Sequence, residues 1–238
     1  MDELDSLDIE LRDPDDVGCR IALLATLVVW PEHQNRSDRE SWLLWLEHQG
    51  IAAIATKTET NLLIAHIGSE LNEHELELCG RAFDALLPLT WSIALTDSFS
   101  LTLEEPNTRD LFEGLPMPPE NIEPFLDQLV MRDENVIATE RERAEVWNWR
   151  LAAEIAYRSS GPRDRQETEE AIREVVLECS TSFVIEQTDG MDFLIDGVQV
   201  RNLDSEQLET VLVASEEHLR ALNWICGLTE WDAIHIPD

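Results

Sequence analysis

The chain has 238 residues, 43% of them hydrophobic and 28% charged, with 50 acids against 17 bases and a formal net charge of −33. That apolar fraction excludes disorder throughout, and a chain of this length buries roughly 70% of its unfolded surface as one large domain or two small ones. The charge argues against a broad nucleic-acid-binding face and attraction to anionic membranes. It suits a basic partner or a nucleic-acid mimic, but acids spread along the chain rather than gathered in one block read first as serving solubility or a salty habitat.

Residues 1–17 carry eight acids beside Arg12 and read as a mobile acidic tail. They lack the basic and apolar regions of a secretory leader, and no later apolar run reaches the roughly 18 residues of a membrane span, so a cytoplasmic location is expected. From Cys19 to Trp30 the run is nearly all apolar, which predicts a buried helix, although its β-branched residues also suit a strand. Pro31 ends it. Ser37-Asp38-Arg39-Glu40 reads as a capping box ahead of an apolar face made by Trp42, Leu43, Trp45 and Leu46, and Gly50 supplies a stop. Thr58 to Ile67 is a second apolar stretch. Leu71 to Leu95 is the longest helical candidate, with Pro88 expected to break or kink it.

Prolines and Gly114 mark a loop from Asp97 to about Pro119, followed by a short helix around Phe125, Leu126, Leu129 and Val130. Val136 to Arg158 and Arg165 to Cys179 are helical, separated by Ser159-Ser160-Gly161-Pro162. The period then changes. Phe183-Val184-Ile185, Phe193-Leu194-Ile195 and Val198-Gln199-Val200 surround two Asp-Gly steps, the composition of tight hairpin turns. Ser205 to Gly227 is a final amphipathic helix. These elements predict a mainly α fold, with one helical domain over residues 18–238 and a small β-hairpin or meander inserted near residues 183–200.

Chemistry-bearing motifs are absent from the sequence. His74-Glu75 opens like HExxH, but Leu78 stands where the second metal ligand belongs. The four cysteines form no CxxC pair and read as reduced core thiols. With nine glycines and no GxGxxG or Walker-type run, no phosphate cradle is expected. No catalytic residue, metal or cofactor is assigned on these grounds.

Tryptophan is more informative, because eight of these large side chains must be packed or exposed. Trp147 and Arg150 share a helical face at i,i+3, where a guanidinium over an indole would line a pocket or simply cover a boundary ring. In the last helix Asn223 lies within a turn of Leu219 and Leu222 and needs partners for its amide if it is buried. Trp147, Arg150, Asn223 and Trp224 are therefore the candidate binding residues, with a pocket expected between their two helices.

Asp192-Phe193, Gly197, Leu203 and Glu206, then Glu217, Ala221-Leu222-Asn223-Trp224, Cys226-Gly227 and Trp231-Asp232 resemble the C-terminal signature of a bacterial family, domain of unknown function 4272. The resemblance is clearest over residues 190–234. It is weaker from Arg20 onward, over Phe83 to Leu95 and over Trp147 to Glu154. It implies a helical domain with a small β insertion and brings no activity with it. Where that family has basic residues, this chain has His218-Leu219 and Val198, so any anion those bases hold in relatives would lack them here.

The functional expectation is a non-enzymatic protein that binds another macromolecule, one with a basic surface, without direct nucleic-acid or membrane contact. A small-molecule site or cryptic enzyme at the four candidate residues is the first alternative. An acidic nucleic-acid mimic or inhibitor, which needs its carboxylates aligned in a stripe, is the second.

Overall fold

The apolar run that opens the chain is a helix. In a computed structural model, which describes residues 9–32, 35–65, 70–104, 111–182, 184–185 and 188–232, α1 spans Pro14–Val29. Asp13 caps it by accepting the Asp15 N–H, and Pro14 sits where a missing N–H costs nothing. The helix thus begins inside the stretch expected as a tail, and Val17 is already fully buried. All-round burial of Ile21, Ala22, Leu23, Leu24 and Ala25 decides for helix over strand, since one apolar face would not suffice for a segment packed on several sides.

Two compact units follow from how the chain packs. The described residues within 1–99, 107–138 and 220–238 form the first, and those within 100–106 and 139–219 form the second. A single helical domain was the expectation over this range.

In the first unit, α2 (Arg36–His48) is capped by Asn35 rather than by the expected Ser37. Asparagine caps at least as well as serine, and its use frees Glu40 to pair with Arg36 at 2.7 Å on the exposed face. Gly50, at φ 76°, stops the helix as expected. A 3₁₀ turn (Ile51–Ile54) leads to α3 (Lys57–Ala65).

The reciprocal capping box occurs instead at α4 (Glu73–Ser92), between Asn72 and Glu75. Pro88 does not break this helix. A proline inside a helix costs about 3 kcal/mol, but each large apolar side chain buried gains roughly 1.5–3 kcal/mol. Leu86, Leu89 and Trp91 around it are all buried, and α4 is the main packing partner of α1. The short helix expected near Phe125 is α5 (Glu123–Leu126).

The second unit draws on α6 (Glu134–Ser159), α7 (Pro162–Ser182) and α8 (Ser205–Ile225). Leu151, Ile172, Val176, Cys179, Phe193, Val200, Leu208 and Val211 make up much of its core. The β element is a hairpin, β1 (Leu194–Ile195) against β2 (Val198–Gln199), with Leu194 opposite Gln199 and Ile195 opposite Val198. Its turn is Asp196-Gly197, both at positive φ (49° and 79°), as a type I′ turn requires. The other Asp-Gly step lies inside an isolated bridge between Thr188 and Phe193. Phe183, expected at the start of a further strand, falls outside the described residues. The fold is mainly α with a small β-hairpin, and no described helix is long and apolar enough to cross a membrane.

Candidate functional site

Of the four candidate residues, Trp147 and Arg150 belong to the second unit, Asn223 and Trp224 to the first. Arg150 does not stack on Trp147. Its guanidinium is buried and forks onto Asp192, with Nε donating to Oδ1 at 2.8 Å and an Nη donating to Oδ2 at 2.9 Å. The same Nη also donates to Glu154 at 3.0 Å, and Glu154 accepts in turn from Arg158. Asp192, fully buried, also accepts the backbone N–H groups of Phe193 and Arg201. Trp147 meets Phe193 edge-on instead, centroids 5.1 Å apart. These groups hold the hairpin to α6, and their donors and acceptors are largely taken by one another, the buried Arg150 Nη1 excepted among the described residues. A buried ion pair of this kind is a structural knot.

A cavity lies in the first unit. It has a volume of about 280 Å³ and is lined by Arg12, Asp16 and Arg20, by the turn at 54–56, and by Trp224, Glu230, Trp231 and Asp232. Trp224 and Trp231 meet edge to face at 5.3 Å. Arg12 lies 5.2 Å over the Trp224 ring, while Arg20 and Arg220 lie 4.6 and 4.3 Å over Trp231. Each such guanidinium–indole contact is worth roughly 0.5–2 kcal/mol and favours this placement of the rings. Asn223, just behind it, is buried, and its carbonyl accepts the Leu228 N–H.

Arg20 is the centre of this arrangement. It enters on the otherwise apolar α1 and is 4% exposed. Both Glu59 oxygens accept from its Nη1, at 3.1 and 3.0 Å, and Ile54 O accepts from its Nη2. Glu59 also accepts from the Trp231 indole N–H at 3.2 Å. Burial pulls the Arg20 guanidinium below its ordinary range, and the Glu59 carboxylate beside it opposes that shift. Its Nε, also buried, has no acceptor among the described residues. At the rim Arg12 donates to Trp224 O and Thr229 O and pairs with Glu230 at 3.1 Å. Asp16 and Asp232 have no ion-pair partner among the described residues.

The sequence reading reached Trp224 and the Trp231-Asp232 pair but not Arg12, Asp16, Arg20 or Glu59. One signal was available. A lone arginine within an apolar helix must be neutralised from elsewhere in the fold, because an unpaired buried charge costs too much. Among the described residues no group of three metal-ligating side chains comes together.

Fold and cavity together define a mainly helical protein with a small polar pocket walled by arginine-clamped indoles. The family model described as Domain of unknown function (DUF4272) matches residues 4–178, and the chain belongs to that family. The match takes in the weaker resemblances at Arg20, at Phe83–Leu95 and at Trp147–Glu154. It stops short of residues 190–234, where the sequence reading puts the clearest resemblance. No curated protein and no solved structure matches the chain.

Proposed function

We propose that this chain acts by binding, and that its partner is a protein presenting a basic surface. The observation that carries this reading is the state of its own bases. Most of the arginines, from Arg12 and Arg20 to Arg173 and Arg201, are already held by carboxylates of the same chain. With 50 acids against 17 bases, the unmatched charge is overwhelmingly negative. Such a field speeds encounter with a basic partner and repels acidic ones. The test is a pull-down of the tagged protein from its own lysate, with an equally acidic unrelated protein as control. A stoichiometric basic protein is expected at about 0.1 M salt, absent from the control and released at about 1 M. Capture of the same set by the control would end this reading.

A second reading is favoured by the cavity beside Trp224: binding of a small polar molecule in the first unit. Its volume of about 280 Å³ lies just below the roughly 300–1,000 Å³ typical of ligand pockets, so the molecule it takes is small. Saturable binding of any small molecule, lost on Trp224→Ala in a protein that still folds, would support it.

A further inference from the structure

We propose that the outward face of α6 formed by Trp149, Ala152, Ile155 and Ala156 docks a basic amphipathic helix of a partner protein. This rests on the basic-partner reading above and gives that partner a place to bind.

The face departs from the pattern of its own helix. α6 turns Ala144, Arg150, Leu151 and Glu154 inward, so its opposite side is free to be polar. Earlier along that side it is polar, with Glu142 and Glu145 exposed. One and two turns further on come Trp149, 37% exposed, then Ala152, Ile155 at 40% and Ala156. Spacings of three and four residues make these side chains neighbours on one surface. A single exposed apolar residue, such as Leu177 on α7, means little. A continuous set that includes a tryptophan is the material of interfaces. The core of the second unit uses other residues of α6, Leu151 above all, so the exposed set does not serve folding. Ala152 lies between the larger Trp149 and Ile155 and leaves a shallow dip that suits the ridge of a second helix. The apolar part runs about 10 Å along the axis, roughly two turns of such a helix.

The charges around the face choose the partner's sign. All four arginines of α6 are matched within the chain: Arg141 by Glu145, Arg143 by Glu140, Arg150 by Asp192, and Arg158 by Glu154. Glu142 has no ion-pair partner among the described residues. α8 runs antiparallel beside α6, with Asn148 donating to Ser215 and Arg158 to Leu203 O. Its first turns expose Glu206 and Glu209, likewise without an ion-pair partner among the described residues. A second copy of the chain would bring the same acids and a net charge of −33 against them. Lysines or arginines flanking the apolar side of a partner helix complement both the face and its rim.

The probe is a short amphipathic helical peptide of leucine and lysine, titrated calorimetrically into the full chain at about 0.1 M salt. Saturable binding is expected, weakened about tenfold or more by Trp149→Ala. Ala152→Glu is the sharper variant. It adds an acid at an exposed position that a good helix former tolerates, so charge attraction alone would strengthen binding, whereas a blocked docking face weakens it. Leu177→Glu, made at the exposed apolar site of α7, should leave the affinity within about twofold.

Binding that Trp149→Ala leaves unchanged, or that Ala152→Glu strengthens, overturns this face and leaves the basic-partner reading standing. Equal binding of a leucine–glutamate peptide overturns both. No binding of the leucine–lysine peptide overturns the docking face, while the pull-down still decides the basic partner on its own. A dimer in sedimentation velocity that Ala152→Glu dissociates makes a second copy the occupant and overturns the foreign helix.

Discussion

His218 is a histidine on the second unit's stretch of α8, buried at 4% exposure. Burial pushes its imidazole down to about 4 from an ordinary value of 6.5. The folded chain therefore holds it neutral while the unfolded chain protonates it below pH 6.5. Its contribution is level above that pH and is lost as pH falls toward 4, a decline of roughly 3 kcal/mol. Urea midpoints at about pH 7 and about pH 5 should drop more steeply for the parent chain than for His218→Gln, by about 2 kcal/mol. Parallel slopes would show that carboxylate titration elsewhere dominates. Asp192 is a buried carboxylate surrounded by the Arg150 and Arg201 guanidiniums and two backbone N–H groups. Asp192→Asn should cost about 3 kcal/mol or more by urea unfolding, since Arg150 is left under-compensated in a dry site. A loss below about 1 kcal/mol would mean that Glu154 alone suffices to neutralise it. Arg150 was visible in the sequence as a notable residue. Its carboxylate partner lies 42 residues away, beyond any helical spacing, so the sequence suggested a ring contact at i,i+3 instead.

At the scale of elements, helices with a long apolar period were legible and their ends were not. α1, α4, α6, α7 and α8 all lie where periodicity puts them. Caps depend on which of several neighbouring polar side chains wins, and Asn35 displaced Ser37 while Asn72 and Glu75 formed the box. Pro88 does not end α4, because tertiary burial outweighs a local cost that spacing alone reveals. The cavity was illegible for a related reason: Trp231, which lines it, bonds Glu59 across 172 residues of sequence. What closes that distance is the end of α8. There Gly227 adopts φ 68°, and a Cβ at this position would stand 2.6 Å from the backbone oxygen of Glu10. The neighbouring Arg12 N–H donates to Ile225 O at 2.9 Å, so residues 9–12 are strapped across the terminus that carries Trp224 and Trp231. Gly227→Ala combines a left-handed φ with a clash against main chain that no rotamer relieves. We expect it to cost roughly 2–3 kcal/mol and to weaken any ligand of the cavity. Gly190→Ala is the comparison, with φ 79° and open space around its Cβ. It should cost only about 1 kcal/mol. Equal losses in thermal melts would mean that the strap contributes nothing beyond backbone strain.

For the whole molecule the governing fact is charge, and it sets two effects of salt against each other. Salt weakens the ion pairs, but those at i,i+4 on exposed faces, such as Arg36–Glu40 and Arg163–Glu167, are worth only about 0–1 kcal/mol each. The pairs that matter more, Arg20–Glu59 and Arg150–Asp192, are buried and poorly screened. Against them stands the repulsion among 50 acids matched by only 17 bases, which is long-range and largely on the surface. At low salt it acts over about 30 Å, and at about 1 M over roughly 3 Å. Folding concentrates that charge, so screening favours the folded state more than the expanded one. The protein should therefore gain stability with sodium chloride, its melting temperature rising by several degrees between about 0.01 M and about 1 M. The same series in potassium sulfate would add the general salting effect on apolar burial, so chloride is the cleaner probe. A melting temperature that falls with chloride would mean that the surface ion pairs act as a network worth more than the repulsion. The acid excess would then be neutralised within the fold, and the expectation of a basic partner would lose its physical basis.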